Sequence, residues 1–484
     1  MGIQNFHQWI QKNYPEIFIP LYKYTIYEYI YIDINYILHN SIYNCQNIYD
    51  FRKKLTISLN IIFSNFIATK GVYLNFDGPS SYAKVILQRK RRNKLNGNDN
   101  QSKGQELSLG LTPGTTFISD IEKCIDIYAK NLEKSYSYLS PKIYISNSKE
   151  PNEGEIKICQ QILKNGLENI KDRHLIIGND SDLIAISMAL KPIYNINILI
   201  KTKGINELVS IKKLIELHIN KVVNEYTKPK NIYNSSYRDD FVLISLLMGN
   251  DYFPKINYLK YDKIWEIYYL FMKNIGNTVV KDGVFNDGTA QDFFYFLYKK
   301  LPERYKTNDI KIYNEKKSHT YLEGLLWCLN MYSTGKCSKF NYMYNYSPPH
   351  PYELLIHICS SNKIEIPYSS IKPIPYYAYP LITLPKKAKN LIHPKYHNLI
   401  TGDLNYLYEI EDCTMCKKIH CDFSIIRRKM NDKNISEEEY DKLKKDNRNK
   451  INEYEVHKVC HNLKFDEKDI IKIIDTIHKH YPIK

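Results

Sequence analysis

No apolar run in this 484-residue chain approaches the length of a membrane span, and the opening stretch MGIQNFHQWIQKNYP lacks the apolar core of a signal peptide. The expectation is a soluble, intracellular protein with no membrane partner. Position 6, where a myristoylation motif at Gly2 needs Ser or Thr, holds Phe6, which rejects that reading. A secreted-type disulfide framework is also missing, since the 10 cysteines are scattered in a way that fits a reducing compartment. The exception is Cys413-x2-Cys416-x3-His420-Cys421, with Cys460 and His461 further on. Only the first pair has a standard zinc spacing, so a zinc knot and reduced thiols in a surface loop both stay open. Glycine is scarce at 18 residues against 44 tyrosines, and Ile, Asn and Lys are abundant. These residues share AT-rich codons, so the bias reports a genome more than a mechanism.

What the chain has is positive charge. Lys and Arg number 68 against 52 acidic residues, a net +16, so polyanionic partners are expected, with nucleic acid the default. The length allows two or three domains and a large core.

The stretch Asp77–Arg92, DGPSSYAKVILQRKRR, concentrates chemistry. Val72–Phe76 (VYLNF) has strand length and composition, and Asp77-Gly78-Pro79 ends it with turn residues. Asp77 thus falls at a strand's C-terminal end, where open α/β sheets place ligand-binding groups. After Pro79 the pattern is helical, and a 3.6-residue repeat puts Lys84, Gln88, Arg91 and Arg92 on one face, which could hold an anion or could be a solvated basic surface.

Taken in order, residues 5–14 predict a short helix, and Tyr27–Ile32 predict a strand that delivers Asp33, with Asn35 and His39 following on the turn and the next helix. An amphipathic helix over 50–70 then leads into the Asp77 strand, a βαβ unit that argues for a parallel sheet. Asn96–Gly110 reads as a polar loop, Ile118–Leu139 as a helix, and Lys142–Ser146 as a strand followed by Glu153 and Glu155 at a helix start. Acidic residues in a first turn are ordinary dipole complements. His174–Gly178 predicts another strand ending in Asn179-Asp180-Ser181-Asp182, either a capped turn or a metal-site signal. Asp239 and Asp240 open a buried helix, as caps, and Asp251 follows its stop at Gly249-Asn250. Asp33, Asp77, Glu153, Glu155, Asp180, Asp182 and Asp251 therefore all fall at element ends. Gathered at one sheet edge, they would repel each other unless divalent cations sat among them, and hard oxygen ligands select Mg²⁺ or Mn²⁺. Two such ions about 4 Å apart suit phosphodiester cleavage.

Together these motifs resemble the Xrn family of 5′→3′ exoribonucleases, within the PIN/flap-nuclease superfamily. The resemblance runs through MGIQNFHQWIQKNYP, YIDINYILH, LNFDGPSSYAKVILQRKRR, LTPGTTF, NEGE, GNDSDL and DDFVLISLLMGNDYFP. It resumes with YLEGLLWCLNMYSTG and PLITLPKKAKNLIHPKYHNL, spanning most of residues 1–405. It implies an α/β fold with a mostly parallel sheet flanked by helices and a mainly helical C-terminal region packed against it. The expected organisation is a nuclease domain over 1–260, a helical block over 261–405 and a divergent segment over 406–484 with a charged insert at 431–450. By resemblance, Asp33, Asp77, Glu153 and Glu155 serve one metal region and Asp180, Asp182 and Asp251 the other, holding two Mg²⁺ or Mn²⁺ ions. Lys84, Gln88, Arg91 and Arg92 match the family's 5′-monophosphate pocket, and His39 its base-stacking histidine.

The implied activity is stepwise degradation of 5′-monophosphorylated, decapped single-stranded RNA to mononucleotides. A monomer is expected, in the cytoplasm or in a host's cytoplasm, with the nucleus not excluded and a decapping enzyme as a candidate partner. The chain departs from the family at Tyr36, where Gly is usual, and at Asn96-Gly97, where the basic helix breaks early. KFNYMYNYSPPH, after Ser338, stands where the family carries a Trp-rich run, leaving Phe340 or Tyr342 as the replacement for a stacking Trp. The expectation is a catalytic core without the large C-terminal extensions of cytoplasmic members, and the codon bias points to a large DNA virus or an AT-rich protist. Two other readings compete: a structure-specific DNA flap nuclease, which shares the carboxylate plan, and an inactive RNA-binding scaffold.

Overall fold

The computed structural model describes residues 2–482 except 4, 44, 96–102, 136–140, 203, 224–228, 308, 361–362, 409–413, 431, 433–434 and 461–464. Its described residues form two compact units. One comprises 1–41, 48–84 and 122–373, the other 42–47, 85–121 and 374–484. The units do not follow the three consecutive blocks read from the sequence.

The first unit is built on a seven-stranded sheet of β1 (Phe18–Ile19), β2 (Thr25–Asp33), β3 (Phe66–Asn75), β4 (Lys142–Ser146), β5 (His174–Ile177), β6 (Ile196–Thr202) and β7 (Ile205–Ser210). The order is β1-β7-β6-β5-β2-β3-β4. Five neighbours, β6-β5-β2-β3-β4, run parallel, and β7 pairs antiparallel with β6 and β1. The expected mostly parallel sheet is present, and the antiparallel β6–β7 hairpin, with β1 beyond it at the edge, is a part that the motif reading did not include.

Burial explains the strand sequences. β5 (HLII) is buried along its whole length and is continuously apolar, as a strand covered on both faces must be, while edge strand β4 alternates exposed and half-buried positions. Strand order grows outward from β2 through β3 to β4 and then returns to β5 on the other side of β2. The loops after β2 and β5 therefore diverge, which opens a crevice at their C-terminal ends.

The core beside the sheet is aromatic: Trp9 stacks on Trp265 with ring centroids 4.6 Å apart, and Phe241 leans on both. The helices Gly154–Glu168, Asp182–Ala189, Tyr237–Leu246 and Glu315–Thr334 all bury residues here, and every residue of Asp182–Ala189 is buried. Asn314 caps the Glu315–Thr334 helix by accepting from the Lys317 amide at 2.9 Å, and Gly335 ends it at φ 67°, a left-handed turn that costs glycine little.

Several boundaries moved. The helix expected over 50–70 spans Ile48–Asn65, and the β3 strand starts at Phe66 because Phe66, Ala68, Val72 and Leu74 are drawn into the core. The loop expected over Asn96–Gly110 contains a helix, Lys103–Leu109, with residues 96–102 outside the described ones. A small hairpin, Val280–Lys281 with Val284–Phe285, interrupts the block expected to be helical. Among the described residues no helix is long and apolar enough to cross a membrane.

In the second unit the Arg89 guanidinium is buried and donates to the carbonyls of Ile382 (2.6 Å) and Leu407 (2.5 Å). Of the charged insert, residues 437–450 lie in the helix Glu437–Cys460, and their side chains are exposed or half-buried, as a solvated surface requires. Of the zinc reading, residue 413 and the side chains of 416 and 420 lie outside the described residues, as do His461 and the side chain of Cys460. Cys421 is exposed.

Candidate active site

β2 ends on Asp33, and Asp77 lies two residues past the end of β3 at Asn75. The helix Gly154–Glu168 points its N-terminus at both. Gly154 donates its amide to Asp77 Oδ1 at 2.8 Å, and a Cβ at Gly154 would press on Asp33 Oδ1 at 3.3 Å and Asp77 Oδ1 at 3.4 Å. Glycine is what lets a helix terminus, with its unpaired N–H groups, approach two carboxylates so closely. Asn35 grips Asp77 from the other side: its amide donates to Oδ2 at 2.8 Å and its carbonyl accepts the Asp77 N–H at 3.2 Å. Tyr36 sits in the first turn of the Ile34–Ile42 helix, where its amide donates to Asp33 Oδ1 at 3.3 Å, so the residue that departs from the family's glycine is accommodated.

The turn after β5 supplies Asp180 and Asp182. Asp182 Oδ1 accepts the Ile3 amide at 2.7 Å, and its Oδ2 accepts the Tyr332 hydroxyl at 3.1 Å. Gly2, at φ 81°, lies against the same pair, and any side chain there would collide with Asp180 and Asp182. Lys84 sits between Glu153 and Asp251, 2.8 Å from Asp251 Oδ2 and paired with Glu153, whose other oxygen accepts the Tyr252 hydroxyl at 2.9 Å.

Electrostatics ties the seven carboxylates into one cluster. Burial, then the neighbouring Asp77 and Asp180, hold the Asp33 carboxyl well above the usual carboxylate range. Burial and Asp180 do the same for Glu155, and burial with Asp180 lifts Asp182 to about 8. Glu153 is raised by burial, against the pull of Lys84. Burial lowers the Lys84 ammonium, but Glu153 and Asp251, with Glu155 and Asp180 behind them, outweigh it and hold it well above its ordinary value. A site that resists ionising so many acids at once is poised to accept positive charge.

The sequence reading thus finds Asp33, Asp77, Glu153, Glu155, Asp180, Asp182 and Asp251 gathered in one region. Among the described residues no three His, Cys, Asp or Glu side chains are spaced to hold an ion as they stand. The donor set nevertheless suits a hard divalent cation: all ligands are carboxylate oxygens, and buried negative charge exceeds the single ammonium among them.

The helix carrying the basic face spans Tyr82–Leu95. Lys84, matched by resemblance to the 5′-monophosphate pocket, has its ammonium paired with the carboxylates of Glu153 and Asp251. Gln88, Arg91 and Arg92 belong to the second unit, where Gln88 Oε1 accepts the Tyr379 hydroxyl at 2.9 Å. His39 is exposed on the Ile34–Ile42 helix. Tyr342 has no open face for a base: it is 1% exposed, stacks on Trp327 with centroids 4.6 Å apart, and donates to the Thr320 carbonyl at 3.0 Å. Phe340 is half-buried, and its carbonyl accepts the Tyr82 amide at 2.8 Å. Asp239 and Asp240 are structural: Asp239 pairs with Lys191, while Asp240 accepts from the Val279 and Val280 amides at 2.9 and 2.8 Å and from the Tyr268 hydroxyl at 2.9 Å.

The reading missed the groups that orient the carboxylates. Asn35 and Tyr252 flank motif aspartates and carried a local signal. Tyr332, 150 residues from Asp182, carried none. Lys157 was also missed: its buried ammonium donates to the carbonyls of Phe76 and Asn147, both at 2.8 Å, and burial lowers it to about 8.

Residues 1–201 match the family described as XRN 5′-3′ exonuclease N-terminus. Among curated proteins, the chain is 26% identical over 307 residues to 5′-3′ exoribonuclease 1 of Saccharomyces cerevisiae, covering 54% of this chain and 20% of that protein. It is 22% identical over 370 residues to 5′-3′ exoribonuclease 1 of Homo sapiens, covering 66% of this chain and 22% of the relative. The chain thus spans about a fifth of the length of these relatives. Among solved structures, the catalytic core of Rad2 in complex with DNA substrate matches with a TM-score of 0.34 and 12% identity over 61% of this chain and 72% of that one.

Proposed function

From the chain's membership in the Xrn family, carried by its N-terminal region, we infer that it is a 5′→3′ exoribonuclease that degrades 5′-monophosphorylated single-stranded RNA to mononucleotides. The observation that carries this reading is the convergence of seven carboxylates at the C-terminal edge of a parallel sheet, around one buried lysine. Asp33, Asp77, Glu153 and Glu155 would hold one divalent ion and Asp180, Asp182 and Asp251 a second, Mg²⁺ or Mn²⁺. Bound there, the ions would supply charge neutralisation and Lewis-acid activation for phosphodiester hydrolysis.

The protein's own groups do the positioning. Asn35 and the Gly154 amide fix the two oxygens of Asp77, Ile3 and Tyr332 those of Asp182, and Tyr252 one of Glu153, so the carboxylates are oriented before substrate arrives. Gln88, Arg91 and Arg92 are assigned to the terminal phosphate, where a guanidinium can make paired bonds to phosphate oxygens that a bulky cap would block. Exposed His39 is assigned to a base next to the cleaved bond.

The test is digestion of one end-labelled RNA bearing a 5′-monophosphate, 5′-hydroxyl or cap, in Mg²⁺ and in EDTA, beside a DNA flap substrate. Mononucleotide release from the monophosphate form alone, lost in EDTA, is the expected result. Preference for the flap, internal cuts indifferent to the 5′ end, or binding without cleavage would overturn it.

A further inference from the structure

A second feature lies on the same sheet, away from the carboxylates. Tyr31, Tyr73 and Tyr144 stand in register on β2, β3 and β4 and form a ladder of nearly parallel rings. Tyr31 stacks on Tyr73 with centroids 5.1 Å apart and planes 18° apart, and Tyr73 on Tyr144 at 4.6 Å and 14°. The two inner rings are tied down: Asn165 donates to the Tyr31 hydroxyl at 3.0 Å and accepts from the Tyr73 hydroxyl at 3.2 Å. The third ring is not. β4 is the edge strand, Tyr144 is 44% exposed, and its hydroxyl has no hydrogen-bond partner among the described residues.

Beside the ladder is a cavity of about 420 Å³. Tyr29, Tyr73 and Tyr144 line its sheet side, and the rings of Tyr29 and Tyr73 close over Gly71 in the next row, where a Cβ would meet them at 3.2 and 3.3 Å. Its helix side carries Gln161, whose Oε1 is a buried acceptor without a partner, and Lys164, an exposed ammonium with no ion pair among the described residues.

We propose that Tyr144 is a stacking platform for a nucleobase. A planar base laid on its open face would continue the ladder at the spacing the three tyrosines already keep, its edge near Gln161 and its phosphate within the field of Lys164. The platform lies two residues back from Asp33 along the strands and two strands across, roughly 10 Å laterally at the usual strand spacing, so it is separate from the carboxylate cluster. The base comes either from a free mononucleotide or from single-stranded RNA.

That the ligand is a nucleotide rests on the nucleolytic reading. Binding is therefore measured in EDTA, without turnover, while cleavage tests that reading separately. Anisotropy of labelled single-stranded RNA, its abasic counterpart as control, and competition by AMP are followed for wild type, Tyr144→Phe and Tyr144→Ala. Tyr144→Phe should bind within twofold of wild type, and Tyr144→Ala should lose about fivefold to a hundredfold in affinity for a base-bearing ligand. In unmodified protein, nitration of Tyr144 by tetranitromethane, read by peptide mass, should be blocked by the ligand that binds. Protection by AMP assigns the site to mononucleotides, and protection by RNA alone assigns it to the strand. Equal affinities across the variants, with Tyr144 nitrated equally whether AMP, RNA or neither is present, would overturn the proposal.

Discussion

Replacing Lys84 by Met isolates the charge balance of the carboxylate cluster. The Lys84 side chain is 14% exposed, Glu153 10% and Asp251 9%, so the two ion pairs are buried ones. Each is worth about 4 kcal/mol at 4 Å and an effective dielectric near 20, before the cost of removing the charges from water. Deleting one partner of such a group leaves the others uncompensated, a loss of about 3–5 kcal/mol. In EDTA the variant should melt on the order of 5–10 °C below wild type. A divalent cation binding only the folded chain stabilises it by mass action, and without the competing ammonium the variant should gain more from millimolar Mg²⁺ than wild type does. Differential scanning fluorimetry across a Mg²⁺ series reads both quantities. Equal melting in EDTA would show that Lys84 does not neutralise the cluster. A deficit that Mg²⁺ leaves unchanged would show that ammonium and metal do not compete for the same carboxylates.

Asp180→Ala should reduce cleavage to background while RNA binding persists in a filter assay, and full activity would sink the site assignment. Arg91→Ala should shrink the rate advantage of 5′-monophosphate over 5′-hydroxyl RNA, and an unchanged ratio would move phosphate recognition elsewhere. Tyr332→Phe removes the hydroxyl 3.1 Å from Asp182 Oδ2 and should weaken Mn²⁺ binding about tenfold. An unchanged Mn²⁺ titration by electron paramagnetic resonance would refute that positioning role. Burial lowers the His174 imidazole from 6.5 to about 4, so the fold prefers it neutral. Its contribution is complete above pH 6.5 and is lost as pH falls toward 4, about 3 kcal/mol in all. Urea unfolding of His174→Phe should show a shallower loss across that window than wild type, and parallel curves would refute it.

What could be read in advance followed physical rules of short range. Alternating β-branched and aromatic residues marked β2, turn residues after VYLNF marked the end of β3, and Asp-x-Asp marked the turn after β5, so each carboxylate could be placed at an element end from its own neighbours. A βαβ reading then required those ends to share one edge, because parallel strands connected by helices all finish on the same side. Lys84 shows where that reasoning stops. On the helix wheel it belongs with Gln88 and Arg91, yet its ammonium is held by Glu153 and Asp251, because a buried cation is stabilised by whatever anions packing brings within reach.

The sequence by itself determined the strand ends, the list of carboxylates and the basic helix, since these depend on periodicity, turn chemistry and residue type within a few positions. Tertiary structure alone decided that Tyr332 reaches back to Asp182, that Tyr342 is core, that Gly2 lies against the aspartates, and that a tyrosine ladder ends bare at β4. Those facts depend on strand order and register across more than a hundred residues, and no local pattern encodes which ring will be left with an open face.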